Sequence, residues 1–268
     1  MSVTGETRLV GLIGSPVSHS LSPRMQNAGF AALALDWAYV PLPVERDRLE
    51  DAVAGLAALG FAGANVTIPY KTAVLGFCDE LDPVAERAGS VNTLVVAKGR
   101  IVASSTDGPA VVGLVEAAGA RVLVLGAGGG AQAVATALAD AGAESITIAA
   151  RDAERAHALE VRLRTLFPER EIRSETDWPP PAGDSTLIVN ATPVLDEAPV
   201  QPAPGHQVVD LSYRPDSEDT ALVLAARKAG CDRVVDGLEV LLAQGTASFE
   251  RWTGLQAPVD VMRAALGR

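Results

Sequence analysis

The stretch Val122-Leu123-Val124-Leu125-Gly126-Ala127-Gly128-Gly129-Gly130-Ala131 decides the fold. Four apolar residues form a short strand, the glycines form a tight turn, and the apolar residues that follow read as a helix closed by Gly142. The run from Val122 to Ala139 carries no charge and approaches the length of a membrane span. Its glycines at 126, 128, 129 and 130 and Gln132 give strand, turn and helix instead. Ser145 to Ala150 is a second strand, so the segment is a βαβ crossover. Within it, Gly126, Gly128 and Ala131 match the G-x-G-x-x-G/A dinucleotide fingerprint in its required context. The first glycine permits the turn and the second lets backbone approach a pyrophosphate. The third position keeps helix and sheet close, and the helix N-terminus offers amides and a positive dipole to phosphates. The alternative reading is a glycine-rich turn that holds no ligand.

Outward from this unit, Thr186 to Val189 and Gln207 to Leu211 read as further strands of the same sheet, with loops at Trp178 to Pro181 and Pro199 to Gly205. A long helix is expected after Asp236-Gly237, through Leu238, Leu241, Leu242, Phe249 and Trp252. Toward the N-terminus, Leu9 to Gly14, Trp37 to Val44, Gly63 to Ile68 and Thr93 to Val96 are strand candidates. Ser22-Pro23 reads as a helix start, with Ser22 as cap. Glu45 to Leu59 reads as a helix burying Leu49, Val53, Leu56 and Leu59, with Gly60 as its stop. Strands alternating with helices predict a mainly parallel sheet. The chain is therefore α/β, with one unit over its first hundred or so residues and a second beginning near Gly108.

The 268 residues are 48% hydrophobic and 21% charged, enough for sizeable cores without disulfides or metals. Against 22 basic residues stand 33 acidic ones, a net charge of −11 that argues against nucleic acid or an anionic membrane as partner. Small molecules fit better. Cys78 and Cys231 have no metal-ligand spacing and His19, His157 and His206 are scattered, so no metal site is expected. Two cysteines suit a reducing compartment, and the opening Met1-Ser2-Val3-Thr4-Gly5-Glu6 has no basic region leading into an apolar core, so a cytoplasmic address is expected.

Polar residues interrupt these apolar patterns at particular places. Ser20 and Ser22 follow the first strand, at the mouth where α/β ligands bind. Asn65 and Thr67 share one face of a strand, because side chains alternate with period two. Lys71 is one of three lysines in a chain whose general cation is arginine. A lysine amine can release a proton when its surroundings favour it, whereas arginine cannot, which makes Lys71 a candidate acid/base as well as a plain solvated charge. Asn92 adds an amide, and Asp107 is either a helix cap or a carboxylate partner for Lys71. Gln244 lies three residues after Leu241 on the apolar face of the long helix, where a polar ligand would satisfy its amide. After the second strand of the crossover, Arg151 and Arg155 suit a 2′-phosphate, while Asp152 could accept from a bare 2′-hydroxyl.

Together, Ser18 to Pro23, Gly63 to Lys71, Val91 to Thr93, Thr106 to Gly108, Gly126 to Gly129, Asn190 to Thr192, Asp210 to Tyr213 and Asp236 to Gln244 resemble the shikimate dehydrogenase family, over nearly the whole chain and in order. The resemblance implies a substrate domain over residues 1–104, completed by helices at 238–268, and a Rossmann-type doubly wound cofactor domain over 105–237, with a cleft where they meet. It implies reversible NADPH-dependent reduction of 3-dehydroshikimate to shikimate, toward chorismate and aromatic amino acids. It makes Lys71 and Asp107 the catalytic pair. Ser20, Ser22, Asn65, Thr67, Asn92, Tyr213 and Gln244 would hold the substrate beside them. The cofactor would lie on Gly126, Ala127, Gly128, Gly129, Gly130, Ala131, Arg151 and Arg155, with Asn190, Ala191, Thr192, Leu211 and Gly237 flanking the nicotinamide. Departures from the family pattern are Ser105 for Asn, Ala150-Arg151-Asp152 for Asn-Arg-Thr, Gln132 for Arg, and Pro193-Val194-Leu195 where a hydroxyl residue and a glycine are usual. They leave NAD open through Asp152, and with it an NAD-preferring quinate/shikimate dehydrogenase; Ser22 in place of a bulkier threonine favours shikimate. A non-catalytic dinucleotide-binding paralogue would have lost Lys71 or Asp107, and both are present. A monomer or homodimer is expected.

Overall fold

The computed structural model describes residues 3–268. Met1 and Ser2, part of the opening stretch read above for an export signal, lie outside the described residues. The chain forms two compact units, one of the residues up to Thr106 together with Leu242–Arg268, the other of Asp107–Leu241.

The first unit contains β1 (Arg8–Gly14), α1 (Ser22–Ala32), β2 (Trp37–Pro43), α2 (Leu49–Ala58), β3 (Gly63–Val66), β4 (Glu80–Leu81), α3 (Pro83–Ala88), β5 (Thr93–Ala97) and β6 (Arg100–Ser104). The sheet order is β2-β1-β3-β5-β6-β4. β1, β2 and β3 are parallel, but β5 runs antiparallel to both β3 and β6, because only a two-residue hairpin, Lys98-Gly99, joins β5 to β6. The sheet is thus mixed rather than a plain alternation of strand and helix. The expected helix from Glu45 begins at Leu49, after a 3₁₀ turn over Arg46–Arg48. Leu49, Val53 and Leu56 are buried as expected, but Leu59 is 76% exposed, since the helix has already ended and Gly60 turns the chain with φ +72°. Ile68 also falls outside its strand and is exposed. Ser22 does not cap α1: the cap position is Leu21, and the Ser22 amide donates to Ser20 Oγ at 3.2 Å.

The second unit contains α4 (Asp107–Val112), β7 (Arg121–Leu125), α5 (Gly129–Asp140), β8 (Ser145–Ala149), α6 (Ala153–Leu166), β9 (Glu171–Glu175), β10 (Leu187–Asn190), β11 (Gln207–Asp210), α7 (Ala221–Ala229) and β12 (Arg233–Val235). All its strands are parallel, in the order β12-β11-β10-β7-β8-β9. This is the doubly wound Rossmann order, whose switch point falls between β7 and β10, the place where such sheets take their ligand. Val122, Val124, Ile146, Ile148, Leu187 and Val189 fill the core against α5 and α6. Gly108 lets α4 close on α5, because a Cβ there would lie 2.5 Å from the Ala133 carbonyl oxygen. α8 (Gly237–Thr253) starts in this unit and ends in the first, where α9 (Val259–Ala265) also lies. Among the described residues no helix is long and apolar enough to cross a membrane.

Candidate active site

At the switch point of the second unit, Gly126 takes φ +107°, a conformation other residues rarely adopt, and a Cβ there would come 3.1 Å from the Ala191 carbonyl oxygen. The turn is therefore both left-handed and tightly apposed to the chain leaving β10. At Gly128 a Cβ would meet nothing within 4 Å, so the space above the turn is open. Gly128 is also the N-cap of α5 and offers no side-chain cap, which leaves the first helical amides to a ligand. An open cradle, uncapped amides and a helix dipole fit a dinucleotide pyrophosphate. Ala131 is fully buried against the sheet, and Arg151 follows the end of β8 while Arg155 stands in the first turn of α6. Asp152 caps α6 by accepting from the Arg155 amide at 3.1 Å, and its other oxygen pairs with the Arg155 guanidinium at 3.1 Å. The guanidinium beside it partly offsets the charge that would repel a 2′-phosphate. Arg151 is exposed at the same corner.

The chain ends leaving β10 and β11 are tied by a closed ring of hydrogen bonds. Asn190 Nδ2 donates to Asp210 Oδ1 at 2.9 Å, and the Ser212 amide donates to the same oxygen at 3.0 Å. The Thr192 amide and hydroxyl donate to Asn190 Oδ1 at 3.1 and 2.6 Å, and Ser212 Oγ donates to the Thr192 carbonyl at 2.7 Å. Thr220 Oγ1 adds a bond to Asp210 Oδ2 at 2.6 Å. Asp210 is fully buried, and burial pushes its carboxyl up to about 6, despite the opposing hydrogen bonds from Thr220, Ser212 and Asn190. Gly237 abuts this ring: a Cβ there would lie 2.2 Å from the Ser212 carbonyl oxygen. Asn190 thus faces inward to Asp210 and Thr192, while Leu211 and Tyr213 are half-buried beside it.

In the first unit, the loops after β1 and β3 meet at the carboxyl ends of their parallel strands. The Thr67 amide donates to the Ile13 carbonyl at 2.9 Å, and the Ser15 amide to the Ile68 carbonyl at 3.1 Å. Both loops contain cis-prolines, at Ser15-Pro16 and Ile68-Pro69. The two bonds set the residues leaving β1, Gly14 and Ser15, beside Thr67 and Ile68. The Lys71 carbonyl accepts from the Val91 amide at 2.8 Å, which fastens the backbone under its half-buried side chain to the start of β5.

Beside these loops lies a buried polar network. Asn65 Nδ2 has three acceptors in reach, the Asn92 carbonyl at 2.9 Å, Ser248 Oγ at 3.0 Å and Thr93 Oγ1 at 3.3 Å, and Asn65 Oδ1 accepts from Tyr39 Oη at 2.9 Å. Asn92 Oδ1 accepts from the Thr106 amide at 2.8 Å, and Asn92 Nδ2 donates to Thr106 Oγ1 at 2.8 Å and to Gln244 Oε1 at 3.1 Å. Thr93 Oγ1 and Ser248 Oγ are 2.8 Å apart. One network therefore fixes Asn65, Asn92 and Gln244, and holds Thr106, the residue before the buried Asp107. Tyr39, Thr93, Thr106 and Ser248 also belong to the network, though none is among the candidate site residues of the sequence. Ser248 had a signal, since it stands four residues after Gln244 on the same helical face.

A dinucleotide cradle on a doubly wound sheet, joined to a second α/β unit with a polar cluster at its strand ends, defines a nicotinamide-type oxidoreductase of two units. Family models match three stretches, the shikimate dehydrogenase substrate binding domain at residues 12–94, shikimate / quinate 5-dehydrogenase at 111–172 and the shikimate 5′-dehydrogenase C-terminal domain at 237–266. The chain is 44% identical to the NADP(+) shikimate dehydrogenase of Rubrobacter xylanophilus, over 98% of this chain and 97% of that one. It is 40% identical to that of Desulforamulus reducens, over 98% and 96%. Among solved structures, Thermus thermophilus shikimate 5-dehydrogenase in complex with NADP(H) and shikimate superposes with a TM-score of 0.84 at 33% identity, covering 97% of this chain and 99% of that one. Quinate dehydrogenase from Corynebacterium glutamicum in complex with NAD superposes with 0.81 at 29% identity, over 97% and 98%. The chain belongs to the shikimate dehydrogenase family.

Proposed function

We propose that the chain reversibly reduces 3-dehydroshikimate to shikimate with NADPH, in the biosynthesis of chorismate and aromatic amino acids. The observation that carries this reading is the single network gathering Asn65, Asn92 and Gln244, the last two 152 positions apart, around hydrogen-bonding groups suited to a polyhydroxylated carboxylate. The substrate domain of the reading is the first unit, with Ser20, Ser22, Asn65, Thr67, Asn92 and Gln244 holding hydroxyls and carboxylate, joined by Tyr213. The second unit is its cofactor domain. There the Gly126 to Ala131 turn receives the pyrophosphate, Arg151 and Arg155 the 2′-phosphate, and Ala191, Thr192, Leu211 and Gly237 flank the nicotinamide.

NADPH, when bound, supplies the hydride. Lys71 gives its Nζ proton to the carbonyl oxygen as that oxygen becomes a hydroxyl, and takes the proton back in the oxidation of shikimate. In this reading Asp107 is the partner that orients Lys71 for that transfer. The Arg155 guanidinium beside Asp152 partly offsets the charge that would oppose a 2′-phosphate, and the exposed Arg151 stands at the same corner, which supports NADP. In this reading the enzyme acts in the cytoplasm, as a monomer or homodimer, and its net charge of −11 suits neither nucleic acid nor anionic lipid.

The test follows absorbance of the reduced nicotinamide with shikimate or quinate, each with NADP or NAD. Highest turnover with shikimate and NADP is expected. Highest turnover with quinate and NAD would make this a quinate dehydrogenase, and no turnover in any pair with intact cofactor binding would make it a non-catalytic paralogue.

A further inference from the structure

We infer that Asp210 is a positioning residue for the nicotinamide half of the cofactor, acting through the hydrogen-bond ring that joins Asn190, Thr192 and Ser212. The inference rests on the reading of the second unit as the cofactor domain. Asp210 is fully buried, so it touches no cofactor itself. An ionised carboxylate without a partner there would be costly, and the fold supplies three donors: Asn190 Nδ2, the Ser212 amide and the Thr220 hydroxyl. Two of these donors belong to the segments that leave β10 and β11 at the switch point. Carboxylate acceptance therefore sets where both segments emerge, and the Ser212 hydroxyl closes the ring on the Thr192 carbonyl.

The ring's neighbours give its position consequence. The Ala191 carbonyl sits against Gly126 at the first glycine of the cradle, and the Ser212 carbonyl sits against Gly237 at the start of α8. With glycine at both contacts, no Cβ of residue 126 or 237 holds the segments apart; the backbone bonds from the Ala191 amide to the Leu125 carbonyl and from the Leu211 amide to the Asn190 carbonyl carry the ladder to the strand ends, and beyond them the ring supplies the side-chain alignment. Its members lie at the β10 and β11 ends, on one side of the pyrophosphate cradle that follows β7, whereas Arg151 and Asp152 lie at the end of β8 on the other. Disturbing the ring should therefore loosen the nicotinamide half and spare the adenosine half.

The test is calorimetric titration of the full chain with NADP and, separately, with adenosine 2′,5′-bisphosphate, which lacks the nicotinamide half. Asp210→Ala should weaken NADP at least about tenfold and the bisphosphate less than about twofold, a separation that general loosening of the fold would not give. Asp210→Asn should restore NADP binding to within about threefold. Its Oδ1 can accept from Asn190 and Ser212, and its Nδ2 can donate to the Thr220 oxygen. Ser212→Ala breaks the ring at a half-buried hydroxyl and keeps the question open to test should Asp210→Ala not fold. It should weaken NADP about threefold or more and leave the bisphosphate unchanged. Equal losses for both ligands, no loss of NADP in either Asp210→Ala or Ser212→Ala, or no rescue by Asp210→Asn would overturn the inference. Wild-type protein that binds neither ligand would instead overturn the reading of the second unit as a cofactor domain.

Discussion

Lys71 and Asp210 put charge to opposite uses, one in a half-buried turn and one in the core. Lys71→Ala removes the proposed proton donor and leaves the binding groups in place, so kcat should fall about 10²-fold or more with little change in KM. Steady-state kinetics with shikimate and NADP measures both, and an unaltered kcat would sink the assignment. Asp210 makes a prediction about stability. Its carboxyl titrates near 3.8 in the unfolded chain and at about 6 in the fold, so the native state holds the proton more tightly. The stability gained from that proton is complete below about pH 4 and is lost as pH rises through about 6, a loss of at most about 3 kcal/mol. Asp210→Asn carries no such titration, so the urea midpoint of the variant should gain on the wild type between pH 4 and pH 7. A pH-independent gap between the two would mean that Asp210 keeps an ordinary carboxyl. Lys71 was legible because a rare residue type interrupts an apolar strand exit. Tyr39 was not, because a tyrosine on a buried strand looks like core until the fold brings Asn65 to its hydroxyl.

Elements were legible where period and punctuation agree, and less so where tertiary contacts override them. The Gly126 to Ala131 turn announced its strand and helix, and β7 and α5 follow it closely. The first unit's sheet was harder, because direction depends on connection length: only the tight turn at Lys98-Gly99 reverses β6 against β5. Ser22 looked like a cap and is not one, since Ser20 takes its amide. At the start of α6 the sequence left two cofactors open, because Arg151, Asp152 and Arg155 stand together there. Asp152 serves the helix and Arg155, which leaves the exposed Arg151 as the cation most available to a 2′-phosphate. Arg151→Ala should therefore raise the KM for NADP about tenfold and change that for NAD less than about twofold, the difference a charge-assisted phosphate contact supplies. Equal changes for the two cofactors would show that Arg151 does not read the phosphate.

At the scale of the molecule, the chain returns to its beginning: residues 242–268 belong to the unit formed by the residues up to Thr106. Nothing in hydrophobic periodicity announces such a return, because an apolar helix face does not say which core it fills. The family resemblance implied helices at 238–268 for this role, and particular contacts hold residues 242–268 in the first unit. Phe249 is fully buried and stacks on Phe30 with ring centroids 5.1 Å apart, and Trp252 Nε1 donates to the Leu94 carbonyl at 2.9 Å. Gln244 and Ser248, which join the polar network, ride on the same helix, so substrate groups and core packing share one support. Phe249→Ala should cost roughly 3–5 kcal/mol, the usual range for deleting a buried aromatic. Because the cavity opens in the first unit, the loss should be local. Shikimate affinity should fall with the loosened network, while calorimetric NADP affinity, carried by residues 107–241 in the proposed reading, should stay within about twofold. Trp37 and Trp252 lie in the first unit and Trp178 in the second, so fluorescence of a Trp178→Phe background follows the first unit alone. In that background Phe249→Ala should lower the urea midpoint well before NADP binding is lost. Simultaneous loss of both signals would mean that the two units unfold as one and that the C-terminal helices stabilise the whole chain rather than the unit they complete.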